Sequence, residues 1–249
     1  MQTTVIRGFA GEVDEGLNPT ADLSASQHLM AAVAAMPELN RIVRLYRPAP
    51  TVAFSTIEKT LPNFSEAVGE SLVFGFDPVV RPAGGRMVAL DEQWVVLDVI
   101  IAEPVRNPSP RTVYNEFGAQ FVQVLTELGI DARFGPVAGE YCPGDYSVNA
   151  RGAVKLVGTA QRVRRGARLF SASIPFDISV SVRELFTRVN QLLELDWQPA
   201  TLGSIHQEAP NLTIESLEDA LLSAFAPGAH RVASLAEIYN SLKQLEPVS

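Results

Sequence analysis

The sequence predicts an α+β fold, on three observations. Trp94 to Ile101 is nearly continuous apolar sequence, the pattern of a strand buried on both faces. Thr112 to Leu128 instead repeats apolar residues at helical spacing, with Val113, Phe117, Phe121, Val124, Leu125 and Leu128 in one stripe. After Pro175 the chain changes character, and strand-like runs give way to amphipathic helices.

Taken in order, Thr3 to Ile6 reads as a short strand and Asp14 to Pro19 as a polar loop. Ser24 and Gln27 have the spacing of a capping box, in which each side chain satisfies a free backbone donor of the first turn. They predict a helix that carries Leu29, Met30, Val33 and Met36 and is closed by Pro37. Its His28 is expected to be a solvated residue rather than a ligand. Ile42 to Tyr46 and Val52 to Phe54 read as strands, and Asn63 to Glu70 as a helix. Gly129 supplies the stop after the long amphipathic helix. Two further strands are expected around Lys155, ending in Gly158, and over Phe170 to Phe176. Beyond them lie helices over Val182 to Leu193, from Thr213 with Leu217, Ala220, Leu221 and Phe225 on one face, and from a Ser234–Glu237 cap with Leu235, Ile238, Leu242 and Leu245. The expected organisation is a core over 1–180 with the helices of 181–249 packed on it, one domain overall.

The composition narrows the function classes. Of 249 residues, 47% are apolar, as in a soluble globular protein, and the net charge of −8 argues against nucleic acid as the main partner. No apolar run reaches membrane-span length, and the N-terminus lacks a basic-then-apolar leader. A single cysteine excludes an internal disulfide framework and fits a reducing cytoplasm. With three scattered histidines beside it, a structural zinc site is not expected.

That cysteine is Cys142, in Glu-Tyr-Cys-Pro-Gly-Asp-Tyr-Ser-Val-Asn from Glu140 to Asn149. An Arg151-Gly152 turn follows, then Val-Lys-Leu-Val-Gly-Thr-Ala-Gln-Arg from Val154 to Arg162. A thiol in a Cys-Pro-Gly turn is within reach of a substrate, although a lone cysteine is more often a small buried hydrophobe. Lys155, flanked by Val154, Leu156 and Val157, is expected to be partly buried, so its ammonium needs a partner. If the ends of this hairpin meet, Lys155 favours the Cys142 thiolate and offers a hydrogen bond to an acyl oxygen. Upstream, Val79-Val80-Arg81-Pro82-Ala83-Gly84-Gly85-Arg86 runs β-branched residues into a glycine pair, where backbone can approach a ligand or simply turn. Arg162, Arg164, Arg165 and Arg168 crowd within seven residues of an acidic chain, either as a solvated face or as a docking patch for an acidic partner.

The Cys142 and Lys155 segments together resemble the core of the lipoate-protein ligase and octanoyltransferase superfamily, and Val79 to Asp91 is similar to its Arg-Arg-x-Ser-Gly-Gly segment. The two blocks keep the family's order and approximate spacing, and the resemblance runs from about Leu23 to Pro175. Cys-Pro-Gly-x-Tyr points to the cysteine-dependent, octanoyl-transferring branch. Arg86 and Pro82-Ala83 depart from the pattern, which leaves the polar contacts of that loop open.

The resemblance implies a mixed, largely antiparallel sheet with helices on one face, like the catalytic domain of biotinyl and lipoyl ligases. It also implies an acyltransferase in which Cys142 is the nucleophile, Lys155 holds the acyl oxygen, and Arg81, Gly84, Gly85, Tyr146, Gly158, Thr159 and Ala160 bind substrate. Expected partners are lipoyl carrier domains of 2-oxoacid dehydrogenases or the glycine-cleavage H protein, with acyl carrier protein as a possible donor. A transferase of this kind requires no cofactor. The alternatives are an ATP- and magnesium-dependent lipoate-protein ligase, with Cys142 a bystander, and a non-catalytic binder of acyl groups or carriers.

Overall fold

The elements of the computed structural model, which describes residues 3–8, 19–36, 38–81, 84–103, 108–228 and 230–245, are in chain order β1 (Thr3–Gly8), α1 (Pro19–Ala35), β2 (Arg41–Tyr46), β3 (Thr51–Ser55), α2 (Phe64–Val73), β4 (Asp77–Arg81), β5 (Val88–Leu90), β6 (Trp94–Ala102), α3 (Pro110–Glu127), β7 (Ala132–Phe134), β8 (Val148–Ala150), β9 (Val154–Arg164), β10 (Ala167–Pro175), α4 (Val180–Leu192), α5 (Ile205–Glu208), α6 (Ile214–Phe225), β11 (His230–Val232) and α7 (Leu235–Leu245). Among the described residues the main sheet has eight strands in the order β11-β1-β2-β6-β10-β9-β8-β7. Only the β11–β1 and β1–β2 pairs are parallel, so the sheet is mixed and largely antiparallel, as expected. A three-stranded sheet, β4-β3-β5, stands beside it.

Strand β6 shows why the layers form. Its side chains alternate across the sheet, and apart from Asp98 both sets are apolar. Val95, Leu97 and Val99 join Phe117, Phe121, Leu221 and Phe225 of α3 and α6. On the opposite face Trp94 and Val96 meet the small sheet, α2 and α4, while Ile100 packs with α1 and α7. Helices therefore cover both faces of the sheet, not one. A strand buried on both sides leaves two apolar surfaces, and each needs its own cover.

Local chemistry sets the element ends. Ser109, Ser179 and Thr213 cap α3, α4 and α6 through their hydroxyls, and Ser234 Oγ accepts from the Glu237 amide at 3.1 Å. The first helix corrects the sequence reading. α1 opens at Pro19, which suits a first helical position, with Asp22 in the first turn against the helix dipole. Ser24 thus lies inside the helix rather than at its start, and Pro37 falls outside the described residues. Strand β9 also runs past Gly158 to Arg164, because β10 pairs with it from Gly158 to the hairpin tip. Exposed His28 packs edge-on against Tyr239, with ring centroids 5.5 Å apart.

Candidate active site

Cys142 sits in the loop that joins β7 to β8, and one buried acid shapes that loop. Glu140, 1% exposed, accepts from the Val137 amide at 3.0 Å, from Ser147 Oγ at 2.8 Å and from Lys155 Nζ at 2.9 Å. Lys155, 4% exposed, also donates to the Cys142 carbonyl at 2.7 Å, and its ammonium lies 4.9 Å from the Tyr141 ring centroid. A left-handed turn at Arg151 and Gly152 folds β8 onto β9 and brings the lysine under the loop. Asn149 braces the turn by accepting from the Gly152 amide at 2.8 Å and donating to the Gly135 carbonyl at 2.9 Å.

The sulfur itself meets a different set of groups. Cys142 is free and half-buried, and its Sγ accepts a hydrogen bond from the Arg86 amide at 3.1 Å. A Cβ on Gly85 would lie 3.0 Å from that sulfur and 3.3 Å from Arg81 Nη2, and Gly85 has a φ of +96°. Glycine is needed there on both counts, the close approach and the left-handed backbone. Arg81 Nη2 donates to the Arg86 carbonyl at 2.8 Å, which fixes the peptide one along from the amide that reaches the thiol. Burial pulls the Arg81 guanidinium below its ordinary value, against the opposing pull of Cys142 and Glu58. Glu58 holds that same Arg86–Met87 peptide from its nitrogen, accepting from the Met87 amide at 2.7 Å, and also accepts from the Ser55 amide at 2.7 Å. The cation beside the sulfur is therefore Arg81. The hydrogen bonds of Lys155 among the described residues go to Glu140 and the loop backbone.

Both groups open onto one cavity of about 370 Å³ between the main sheet and the small one. Arg81, Gly84, Gly85, Cys142, Tyr146, Lys155, Gly158, Thr159 and Ala160 all line it, and so does Arg162. Tyr146 stacks on Tyr114 with centroids 4.2 Å apart, and its carbonyl accepts from Thr159 Oγ1 at 2.9 Å. A Cβ on Gly158 would come within 3.2 Å of Ser173 Oγ, so the missing side chain keeps the floor open. Leu23, Val88, Leu90, Val96 and Leu169 give the cavity its apolar walls.

The arginine group divides. Arg162, Arg164 and Arg165 are exposed at the tip of the β9–β10 hairpin. Arg168 is 1% exposed: it pairs with Glu103 and donates to Gln161 Oε1 at 2.8 Å and to the Pro108 carbonyl at 2.9 Å. It belongs to the interior and cannot be part of a docking patch. Alternation along β10 turns it away from the tip, where a buried acid claims it. Of the departures noted in the glycine loop, Arg86 spends its side chain on the Asp196 carbonyl at 2.6 Å, while Pro82 and Ala83 fall outside the described residues.

Sequence reasoning gave no role to Glu140, Glu58 or the Arg86 amide. The signal for Glu140 was present, since a lysine among apolar neighbours requires an acid. A backbone donor to sulfur leaves no mark in side-chain identity.

The model of the lipoyl protein ligase A/B catalytic domain matches residues 18–226. An octanoyl-GcvH:protein N-octanoyltransferase of Geobacillus kaustophilus is 30% identical over 125 residues, which is 50% of this chain and 44% of that protein. The protein of the same name from Oceanobacillus iheyensis is 27% identical over 180 residues, 67% of this chain and 62% of that one. The chain's matches span about half the length of these curated relatives. In three dimensions the chain superimposes on a crystal structure of lipoate-protein ligase A bound with ATP, with a TM-score of 0.74 at 17% identity, covering 98% of this chain and 93% of the other. That likeness concerns the fold. The family match extends through α4, α5 and α6, past the Pro175 limit of the sequence resemblance, and with it the chain belongs to the lipoyl protein ligase A/B catalytic domain family.

Proposed function

We propose that the protein moves an octanoyl or lipoyl group through a Cys142 thioester onto a lysine of a lipoyl carrier domain. The observation that carries this reading is the thiol placed on an acyl-sized cavity, with the Arg86 amide and the Arg81 guanidinium at its sulfur. The names of the octanoyltransferase relatives agree with that chemistry.

In the first step the thiolate attacks the carbonyl carbon of the donor. The new C–S bond forms, the bond to the donor breaks, and the donor leaves as a thiol from a carrier thioester or as a lysine amine from an H-protein amide. The leaving group takes up a proton in either case. In the second step the ε-amine of the target lysine attacks the acyl-enzyme, an amide forms, Cys142 departs as thiolate, and the amine loses a proton. Lys155, fixed at the Cys142 carbonyl, supplies positive charge near the developing oxyanion. The apolar walls hold the chain, at about 0.8 kcal/mol per buried methylene. A thioester donor carries its own activation, so this route needs neither ATP nor metal. A free thiol nucleophile suits the reducing cytoplasm expected from the single cysteine. No helix among the described residues is long and apolar enough to cross a membrane.

Incubation with an octanoyl-carrier thioester, read by intact mass, tests the proposal. One octanoyl group should load without ATP, be released by hydroxylamine, and fail to load on Cys142→Ser. A serine variant that modifies a carrier lysine at full rate from free lipoate, ATP and magnesium would replace this reading with an ATP-dependent ligase.

A further inference from the structure

Glycine at 158 leaves a notch in the floor of the cavity, and polar groups surround it. Gly158 and Ser173 face each other across the β9–β10 pair, and both line the cavity. At the position a Cβ would take on Gly158, the nearest atoms are Ser173 Oγ at 3.2 Å, Lys155 Cε at 3.5 Å and the Tyr141 hydroxyl oxygen at 3.5 Å. Two of these groups join the notch to the cysteine. Tyr141 precedes Cys142 in the chain, and the Lys155 ammonium donates to the Cys142 carbonyl at 2.7 Å.

Tyr141 is buried and lines the cavity. Its ring is held on two sides, edge-on against Phe186 with centroids 5.1 Å apart and 4.9 Å from the Lys155 ammonium. Its hydroxyl is not held. It makes no hydrogen bond among the described residues, and it is not one of the polar atoms sealed from solvent without a partner. A buried polar group left unpaired is costly, so a hydroxyl fixed by its ring and open to the cavity is ready for a ligand acceptor. Burial raises the phenol above its ordinary value, Cys142 and Glu140 push the same way, and Arg81 opposes them. The phenol therefore keeps its proton and serves as a donor, not a base.

We propose that Tyr141 is a further catalytic residue, whose hydroxyl donates a hydrogen bond to the acyl oxygen lodged in the Gly158 notch. The inference rests on the Cys142 thioester reading and adds a donor for its oxyanion. As the carbonyl carbon becomes tetrahedral in either step, negative charge gathers on that oxygen and the hydrogen bond strengthens. The charge returns to the carbonyl bond when the donor or Cys142 leaves, and the phenol keeps its proton throughout. The Ser173 hydroxyl borders the same notch.

Tyr141→Phe keeps the ring and removes a hydroxyl that no described residue bonds. Its urea unfolding should match wild type. Single-turnover loading of Cys142 from an octanoyl thioester should slow by about 10²-fold at saturating donor, with the KM for donor little changed. Long incubation still yields acyl-enzyme for spectroscopy. With a carbonyl-labelled octanoyl group, isotope-edited infrared should place the thioester carbonyl band at lower wavenumber in wild type than in Tyr141→Phe, a difference that ring packing alone would not produce. Gly158→Ala fills the notch with a methyl group and should slow loading and move the band the same way. Loading of Tyr141→Phe at the wild-type rate, or one band position in both proteins, overturns the role of Tyr141 and leaves the thioester reading standing. A wild type that takes no octanoyl group onto Cys142 overturns the thioester reading, and this inference with it.

Discussion

Lys155 and Glu140 form a buried pair in which each side chain has a second duty. Glu140 ties down the Val137 amide and the Ser147 hydroxyl, and Lys155 ties down the Cys142 carbonyl. Removing the lysine therefore does two things. It takes a positive donor from the oxyanion position proposed above, and on that proposal transfer should fall by about 10²-fold. It also strands a buried carboxylate, a change that typically costs about 3–5 kcal/mol. Lys155→Met should lose both activity and stability. Lys155→Met with Glu140→Gln should regain most of the stability, since both charges are gone, and regain none of the transfer. Urea unfolding and single-turnover acylation measure the two separately, and recovery of transfer in the double variant would remove Lys155 from the chemistry. The need for this pair was legible in the sequence, because an ammonium between Val154 and Leu156 cannot be buried alone. The identity of the acid was not. Glu140 meets Lys155 only after the loop, β8 and a left-handed turn have closed, and no local pattern encodes that closure. Arg168 failed for the same reason, its acid being Glu103, which follows the end of β6 and is far away in sequence.

At the scale of elements, the sequence revealed strands and helices wherever burial is periodic, and misled where a cap-like pattern lay inside a longer helix, as at Ser24. The two-sided burial of β6 was readable and already implied cover on both faces; the expectation of helices on one face overlooked that consequence. Two glycines of the helices make contrasting tests. A Cβ on Gly118 of α3 would clash with the ring of Phe134 on β7, while a Cβ on Gly69 of α2 meets nothing within 4 Å. Gly118→Ala should destabilise by about 1–3 kcal/mol through overpacking, and Phe134→Ala should relieve most of that increment. Gly69→Ala should stabilise by about 0.5–1 kcal/mol through helix propensity. Chemical denaturation of the variants reads both signs, and equal effects would mean that the α3–β7 contact is not tight. The β5–β6 turn carries a pH response. Burial is the main cause that raises the Asp91 carboxyl to about 6, countered by the hydrogen bond Oδ1 accepts from the Gln93 amide. The folded state then binds more protons than the unfolded state between about 4 and 6, so stability falls as pH rises through that window and stays lower above it. Asp91→Asn, which keeps the Oδ1 acceptor, should flatten that part of the curve. Melting temperatures across pH 4 to 8 check it, and parallel curves for the two proteins would assign the response elsewhere.

For the whole molecule, charge is distributed against its average. The chain carries a net −8, yet the β9–β10 tip presents Arg162, Arg164 and Arg165 to solvent around Val163, itself 46% exposed. β9 also supplies Lys155, Gly158, Thr159 and Ala160 to the cavity, so the strand that floors the site ends in this basic tip. An acidic carrier domain that seats on the tip would be guided toward the mouth of the cavity by the same strand that lines it. Exposed charges act mainly on encounter, and their effect is screened over about 8 Å at physiological salt. Reversing Arg164 and Arg165 to glutamate should therefore slow transfer to an intact carrier domain far more than transfer to a short lysine peptide. Acylation of Cys142 by a small thioester should stay unchanged in that variant. Raising the salt should slow the wild-type protein toward the variant when the acceptor is the folded domain, and should leave the peptide reaction alone. Equal losses with both acceptors would assign the arginines to the site or to the fold, and salt-independent transfer to the intact domain would end their role in docking.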